Sequence, residues 1–180
     1  MGKRCFYTLS AIFACFALIA SEGDAVVIRS AMSCFKLPAG TKLTAGGAIA
    51  RFEKEAQRGN AAANAHLGLF YLRGLGVQKN AAKAFGYFQK AAAKGDALGN
   101  FGMGYCYYSG AGVRQNYKSA VVSLEKAASA GNSDAMLLLF NIRRNGWAGK
   151  VDLAEALSLL RRAVSAGNPS AIYRLGTVYF

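Results

Sequence analysis

The side chains able to do chemistry are few and scattered. His66 is the only imidazole in 180 residues. A zinc centre or a catalytic triad would need acids or thiols brought to it at matched geometry; without them it reads as a packing or helix-surface histidine. The cysteines are Cys5, Cys15, Cys34 and Cys106. Glu53 and Glu55 stand two apart, a spacing that points them to different sides of a helix and leaves paired-carboxylate catalysis without support. Gly74-Leu75-Gly76 and Gly110-Ala111-Gly112 look like fragments of phosphate-cradling loops. They follow helical stretches, and they lack both the preceding strand and the Lys-Ser/Thr continuation, so they read as turns. No catalytic residue, metal ligand set or cofactor is expected.

Composition narrows the classes further. With 53% hydrophobic and 17% charged residues, the chain has enough apolar material for one domain with its own core. Two prolines, one histidine and four cysteines exclude a collagen-like rod, a multi-histidine metal centre and a disulfide-dense mini-scaffold. Lys and Arg number 22 against 9 acids, which excludes an acidic solvating chain and admits an anionic partner or surface.

The first residues read as an address. Lys3 and Arg4 precede an apolar run from Cys5 to Ala20, and the polar Ser21-Glu22-Gly23-Asp24 follows. This is the order of a signal peptide, expected over 1–22 and cleaved near residues 20–25. The run is also at the lower limit for a membrane span, which leaves an uncleaved anchor as the alternative. Ile12-Phe13-Ala14-Cys15 resembles a lipoprotein box, but the bulky Phe13 argues against lipidation. Loss of residues 1–20 takes only Lys3 and Arg4 from a surplus of 13, so the basic character belongs to the remainder. Cys5 and Cys15 leave with the leader. A bond between Cys34 and Cys106 would require the extension, 23–46, to fold onto the second repeat.

What positions all these residues is a repeat of 36. Gly59, Gly95, Gly131 and Gly167 recur at that interval, each followed by Asn or Asp. In the same register fall Gly68, Gly104 and Gly176; Tyr71, Tyr107 and Tyr179; Gly74, Gly110 and Gly146; and Ala84, Ala120 and Ala156. Each unit reads as two helices. The first, about 61–73 in unit one, stops at glycine; the second, about 81–94, starts after the N-cap Asn80 and closes at Gly95. Repeats of about 59–94, 95–130 and 131–166, with a partial one over 167–180, predict eight helices over 47–180. These are a lone second helix near 48–58, three pairs and a lone first helix from about 169. Gly68, Gly104 and Gly176 should let helices approach closely, and Phe70, Cys106, Ile142 and Val178 should face the core. His66 aligns with Gly102, Leu138 and Arg174, which share no chemistry.

This pattern resembles the Sel1-like repeat family, relatives of tetratricopeptide repeats, in its exported bacterial form. The resemblance rests on Leu67-Gly68, Tyr71, Gly74, Gly76-Val77, Asn80, Lys83-Ala84, Phe88, Lys90-Ala91-Ala92 and Gly95, and unit two repeats it through Gly131. Unit three departs, with Phe140 for the small residue, Arg143 for the tyrosine, and Trp147 and Ala148 in the loop. The resemblance implies an all-α fold, an α/α right-handed superhelical solenoid, acting as a scaffold or adaptor for protein complexes. Some exported members carry a cysteine pair in every repeat and are associated with β-lactam binding or hydrolysis; this chain lacks those pairs. By analogy with tetratricopeptide positions, the concave face would present Leu69, Leu72 and Arg73, then Phe101, Tyr105 and Tyr108, then Asn141, Arg144 and Asn145, and finally Tyr173. The same aromatics could instead only pack between helices. The expected partner is a protein or peptide, with acidic proteins, anionic envelope polymers and lipid headgroups as counterparts to the basic charge, unless that charge is only solvated helix surface. Export argues against nucleic acid. The rivals are a cell-envelope hydrolase or β-lactam-binding enzyme, and a membrane-anchored adaptor.

Overall fold

A computed structural model describes residues 45–179, and these residues form eight helices with no strand among them. The leader, the cleavage region and Cys34 lie outside the described residues. A lone helix, α1 (Ala45–Gln57), is followed by three hairpins: α2 (Ala61–Arg73) with α3 (Ala81–Ala92), α4 (Ala97–Ser109) with α5 (Tyr117–Ser129), and α6 (Ser133–Asn145) with α7 (Leu153–Ser165). A lone first helix, α8 (Pro169–Tyr179), completes the order. None of the described helices is long and apolar enough to cross a membrane.

Short polar side chains and glycines set these boundaries. Asn60, Asn80, Asp96, Asn116, Asn132 and Asp152 each accept a backbone N–H from the first turn of the helix they precede. The first helices end where Gly74, Gly110 and Gly146 take positive φ of 79°, 76° and 68° and donate their N–H back to Phe70, Cys106 and Ile142. An L-residue would be strained there, so these glycines fix where each hairpin turns.

Consecutive helices pack side by side, and first helices also meet one another, α2 on α4 and α4 on α6. That contact pattern is a stack of hairpins, an α/α solenoid whose apolar core runs from unit to unit. The close approaches depend on absent side chains. A Cβ on Gly68 would come within 2.5 Å of Phe88, and one on Gly102 within 2.3 Å of the same ring. The phenyl group is therefore wedged between its own first helix and the next one, and it is fully buried. Gly104 admits Leu124 in the same way, at 2.6 Å. Gly176 differs from the expectation: nothing lies within 4 Å of its would-be Cβ, because among the described residues α8 packs on α7 but has no second helix of its own unit to press on Gly176. In unit three the bulky Phe140 is taken into the core with Leu160. Phe70, Cys106 and Ile142 are buried as expected, at 2%, 0% and 1% exposure; the side chain of Val178 lies outside the described ones.

One polar position changes chemistry between repeats while keeping its place. In unit one the Tyr71 hydroxyl donates to Glu53 at 3.3 Å and accepts from Lys83 at 2.6 Å. In unit three, two repeats on, Arg143 meets Glu125 at 3.0 Å and Glu155 at 2.8 Å. The same three positions thus join consecutive repeats in both units: the first is Glu in each, and where the third changes from Lys83 to Glu155 the middle changes from Tyr71 to Arg143, which explains the departure from tyrosine at 143.

Candidate functional site

The first helices expose a face on which a cavity of about 480 Å³ opens between α2 and α4. Its apolar wall comes from Leu69 and Leu72 of α2, Phe88 of α3, and Phe101 and Tyr105 of α4; Arg73 and Lys79 add two cations. Helical spacing explains the grouping. Leu69, Leu72 and Arg73 lie three to four residues apart on α2, as do Phe101, Tyr105 and Ser109 on α4, so each set shares one face. Ala81 and Ala111 leave the volume unfilled.

Half of the residues expected on this face are therefore gathered in one place. The downstream half is arranged differently. Tyr108 packs edge-on to Tyr117, with centroids 5.8 Å apart, and against Trp147 at the same distance. Asn141 accepts a hydrogen bond from Arg174 at 2.9 Å, and Asn145 donates to the Asn141 carbonyl at 2.8 Å. Arg144 lies over the Phe140 ring at 5.4 Å. Tyr173 is 75% exposed on α8. These side chains line no common cavity with Leu69 and Leu72. The sequence reading also overlooked contributors: Lys79, Ala81 and Ala111 come from the turns and second-helix starts, and Gly102 from the back of α4. The signal for them was present in the contrast between Ala81 and Tyr117, and between Ala111 and Trp147, at equal repeat positions.

Two of the residues able to do chemistry, His66 and Cys106, are sequestered. His66 is buried against Phe52, ring centroids 5.3 Å apart, and burial pushes its pKa down to about 4. It is neutral and packed, away from solvent. Cys106 is fully buried, and burial pushes its thiol up to about 12, far from the thiolate a nucleophile requires. Among the described residues, no group of histidine, cysteine and acidic side chains could hold a metal ion.

A stack of helical hairpins with an open, apolar, cation-edged cavity on its first-helix face defines a helical-repeat scaffold. The Sel1 repeat matches residues 61–96, 97–132 and 133–168, more than half of the chain. The chain belongs to the Sel1 repeat family, whose members generally serve as protein-interaction scaffolds. Among solved structures, it is similar to c5321, described as a protective antigen of uropathogenic Escherichia coli, with 31% identity and a TM-score of 0.72 over 87% of this chain and 33% of the other. A Sel1 repeat protein from Oxalobacter formigenes gives 32% identity and a TM-score of 0.66 over 74% of this chain and 55% of the other. Helicobacter pylori cysteine-rich protein B gives 25% and 0.52, over 72% and 88%. The chain thus spans a third to about half the length of the first two. No curated protein matches it.

Proposed function

We propose that the protein is an exported scaffold that binds a protein or peptide partner along the face of its first helices. The observation behind this is the open cavity between α2 and α4, where Leu69, Leu72 and Tyr105 present apolar surface, with the buried Phe101 ring in its wall, beside Arg73 and Lys79. Aromatic and aliphatic walls supply contact area, and the cations supply direction to an acidic partner. Tyr108, Asn141, Arg144, Asn145 and Tyr173 would extend the contact downstream. The buried, neutral His66 and the protonated Cys106 favour binding over hydrolysis. Export rests on the leader-like order of residues 1–22, and a role in envelope assembly or host contact agrees with the antigen to which the chain is similar.

Affinity capture from envelope extract tests this reading, with wild-type protein and a Leu72→Glu/Tyr105→Ala variant as paired baits. A partner retained by the first and lost by the second, at equal helicity, is the expected result. Equal capture by both moves the site elsewhere. Turnover of a β-lactam or a penicilloyl adduct on the purified chain would favour the enzyme reading. N-terminal sequencing of the exported protein separates a cleaved leader from an anchor.

A further inference from the structure

The cavity's positions recur one repeat later, and there they carry an aromatic cluster in which Trp147 is 43% exposed. Shifting each lining residue by 36 takes Leu72 to Tyr108, Ala81 to Tyr117, Ala111 to Trp147 and Lys79 to Gln115. The Trp147 indole stacks on Tyr117 at 5.2 Å and 27°, and Tyr108 closes against both. Gln115 donates one hydrogen bond to the Tyr117 hydroxyl at 3.0 Å and another to the Tyr108 carbonyl at 2.8 Å. At the second junction the chain therefore covers the equivalent positions with its own stacked aromatic pair, buttressed by a polar side chain. At the first junction the frame persists, but the two filling positions are alanine and the polar position is an exposed lysine.

The geometry points to an aromatic side chain of a partner peptide, tryptophan above all, as the occupant of the α2–α4 cavity, with an adjacent carboxylate held by Lys79 and Arg73. This rests on the scaffold reading and names the chemistry its site selects. Trp147 shows the class of group that this chain sets against the positions equivalent to Leu72 and Ala81. The Gln115 to Lys79 exchange replaces a donor suited to a phenol by one suited to an anion. A volume of about 480 Å³ accommodates an indole with its flanking backbone. Tyr105 offers it ring surface, with the edge of the largely buried Phe101 beside it, and such ring pairs favour offset or edge-on arrangements.

Two experiments on the full mature chain test this. In ligand-observed NMR, N-acetyl-tryptophan should bind about threefold tighter than its uncharged amide, the scale of one exposed ion pair; N-acetyl-leucine should bind more weakly still. Lys79→Glu should abolish the preference for the acid. Ala111→Trp should plug the cavity and weaken N-acetyl-tryptophan by about tenfold or more, while Trp147→Ala, which opens the second junction, should add a second site. The opposite effects of these two substitutions keep the test valid if either one perturbs folding. Absence of saturable binding by N-acetyl-tryptophan, or binding unchanged by both substitutions, overturns the proposal. A random peptide display panned on the chain separates this inference from the reading beneath it. Selected peptides with an aromatic residue beside Asp or Glu, displaced by Ala111→Trp, support both. Selected peptides that need Leu72 and Tyr105 but lack an aromatic overturn the inference and leave the scaffold standing. Peptides indifferent to both residues overturn both.

Discussion

His66 and Asp134 make opposite demands on pH. Burial lowers the folded-state pKa of His66 from 6.5 to about 4, so its contribution is complete above about 6.5 and is lost as pH falls toward 4. Burial raises Asp134 from 3.8 to about 6, against a 2.8 Å hydrogen bond from Asn168 that partly offsets it. The folded state then holds a proton that the unfolded chain has released, so this contribution is complete below about 3.8 and is lost as pH rises toward 6. Asp96, also raised by burial, acts in the same direction as Asp134. The contributions of His66 and Asp134 oppose each other between about pH 4 and 6, where each of these two can reach about 1–2 kcal/mol after allowance for partial exposure. Urea melts across that window should show wild type changing little, Asp134→Asn losing stability steeply on acidification, and His66→Leu gaining it. Parallel slopes for all three would refute the assignment. Neither environment was legible in the sequence. His66 has repeat-mates without shared chemistry, so nothing in its column announced burial by Phe52. Asp134 sits in the first turn of α6, and its partner Asn168 is 34 positions away in the chain, so no local signal pairs them.

At the scale of elements the sequence was far more legible, because caps and glycines act locally. The first helix was expected over 61–73 and forms over Ala61–Arg73; the second was expected to run to 94 and forms over Ala81–Ala92. What local signals do not show is which glycines are pressed by neighbours. Gly102 has His66 and Leu138 as repeat-mates and so stood out in no column, yet it forms one wall of the slot for Phe88. Gly102→Ala should destabilise by about 1–3 kcal/mol, since the ring is held on both sides and has little room to yield. Gly86, inside α3 with nothing within 4 Å of its would-be Cβ, should behave oppositely: Gly86→Ala should stabilise by about 0.5–1 kcal/mol through helix propensity. Asn80→Ala, which removes the 2.8 Å bond to the Lys83 N–H, should cost about 1 kcal/mol. Thermal melts of the three single variants provide the check, and a Gly102→Ala protein as stable as wild type would remove the wedge argument.

Across the whole molecule, one repeated frame is used in two ways. The core positions keep their register from α2 to α7, while the first-helix face opens a cavity at one junction and carries the aromatic cluster of Tyr108, Tyr117 and Trp147 at the equivalent positions of the next. The solenoid was readable because period and caps recur. The difference between the junctions was not, because it depends on side chains from loops and second helices meeting across a groove. The most direct measurement of the central claim is site-specific photo-crosslinking on the intact chain. A benzophenone side chain replaces either Leu72, in the cavity, or Val122, 55% exposed on the second helix α5. In envelope extract, a discrete protein adduct from position 72, absent from position 122, is the predicted result. Adducts from position 122 alone, or equally from both, would contradict binding through the first-helix face.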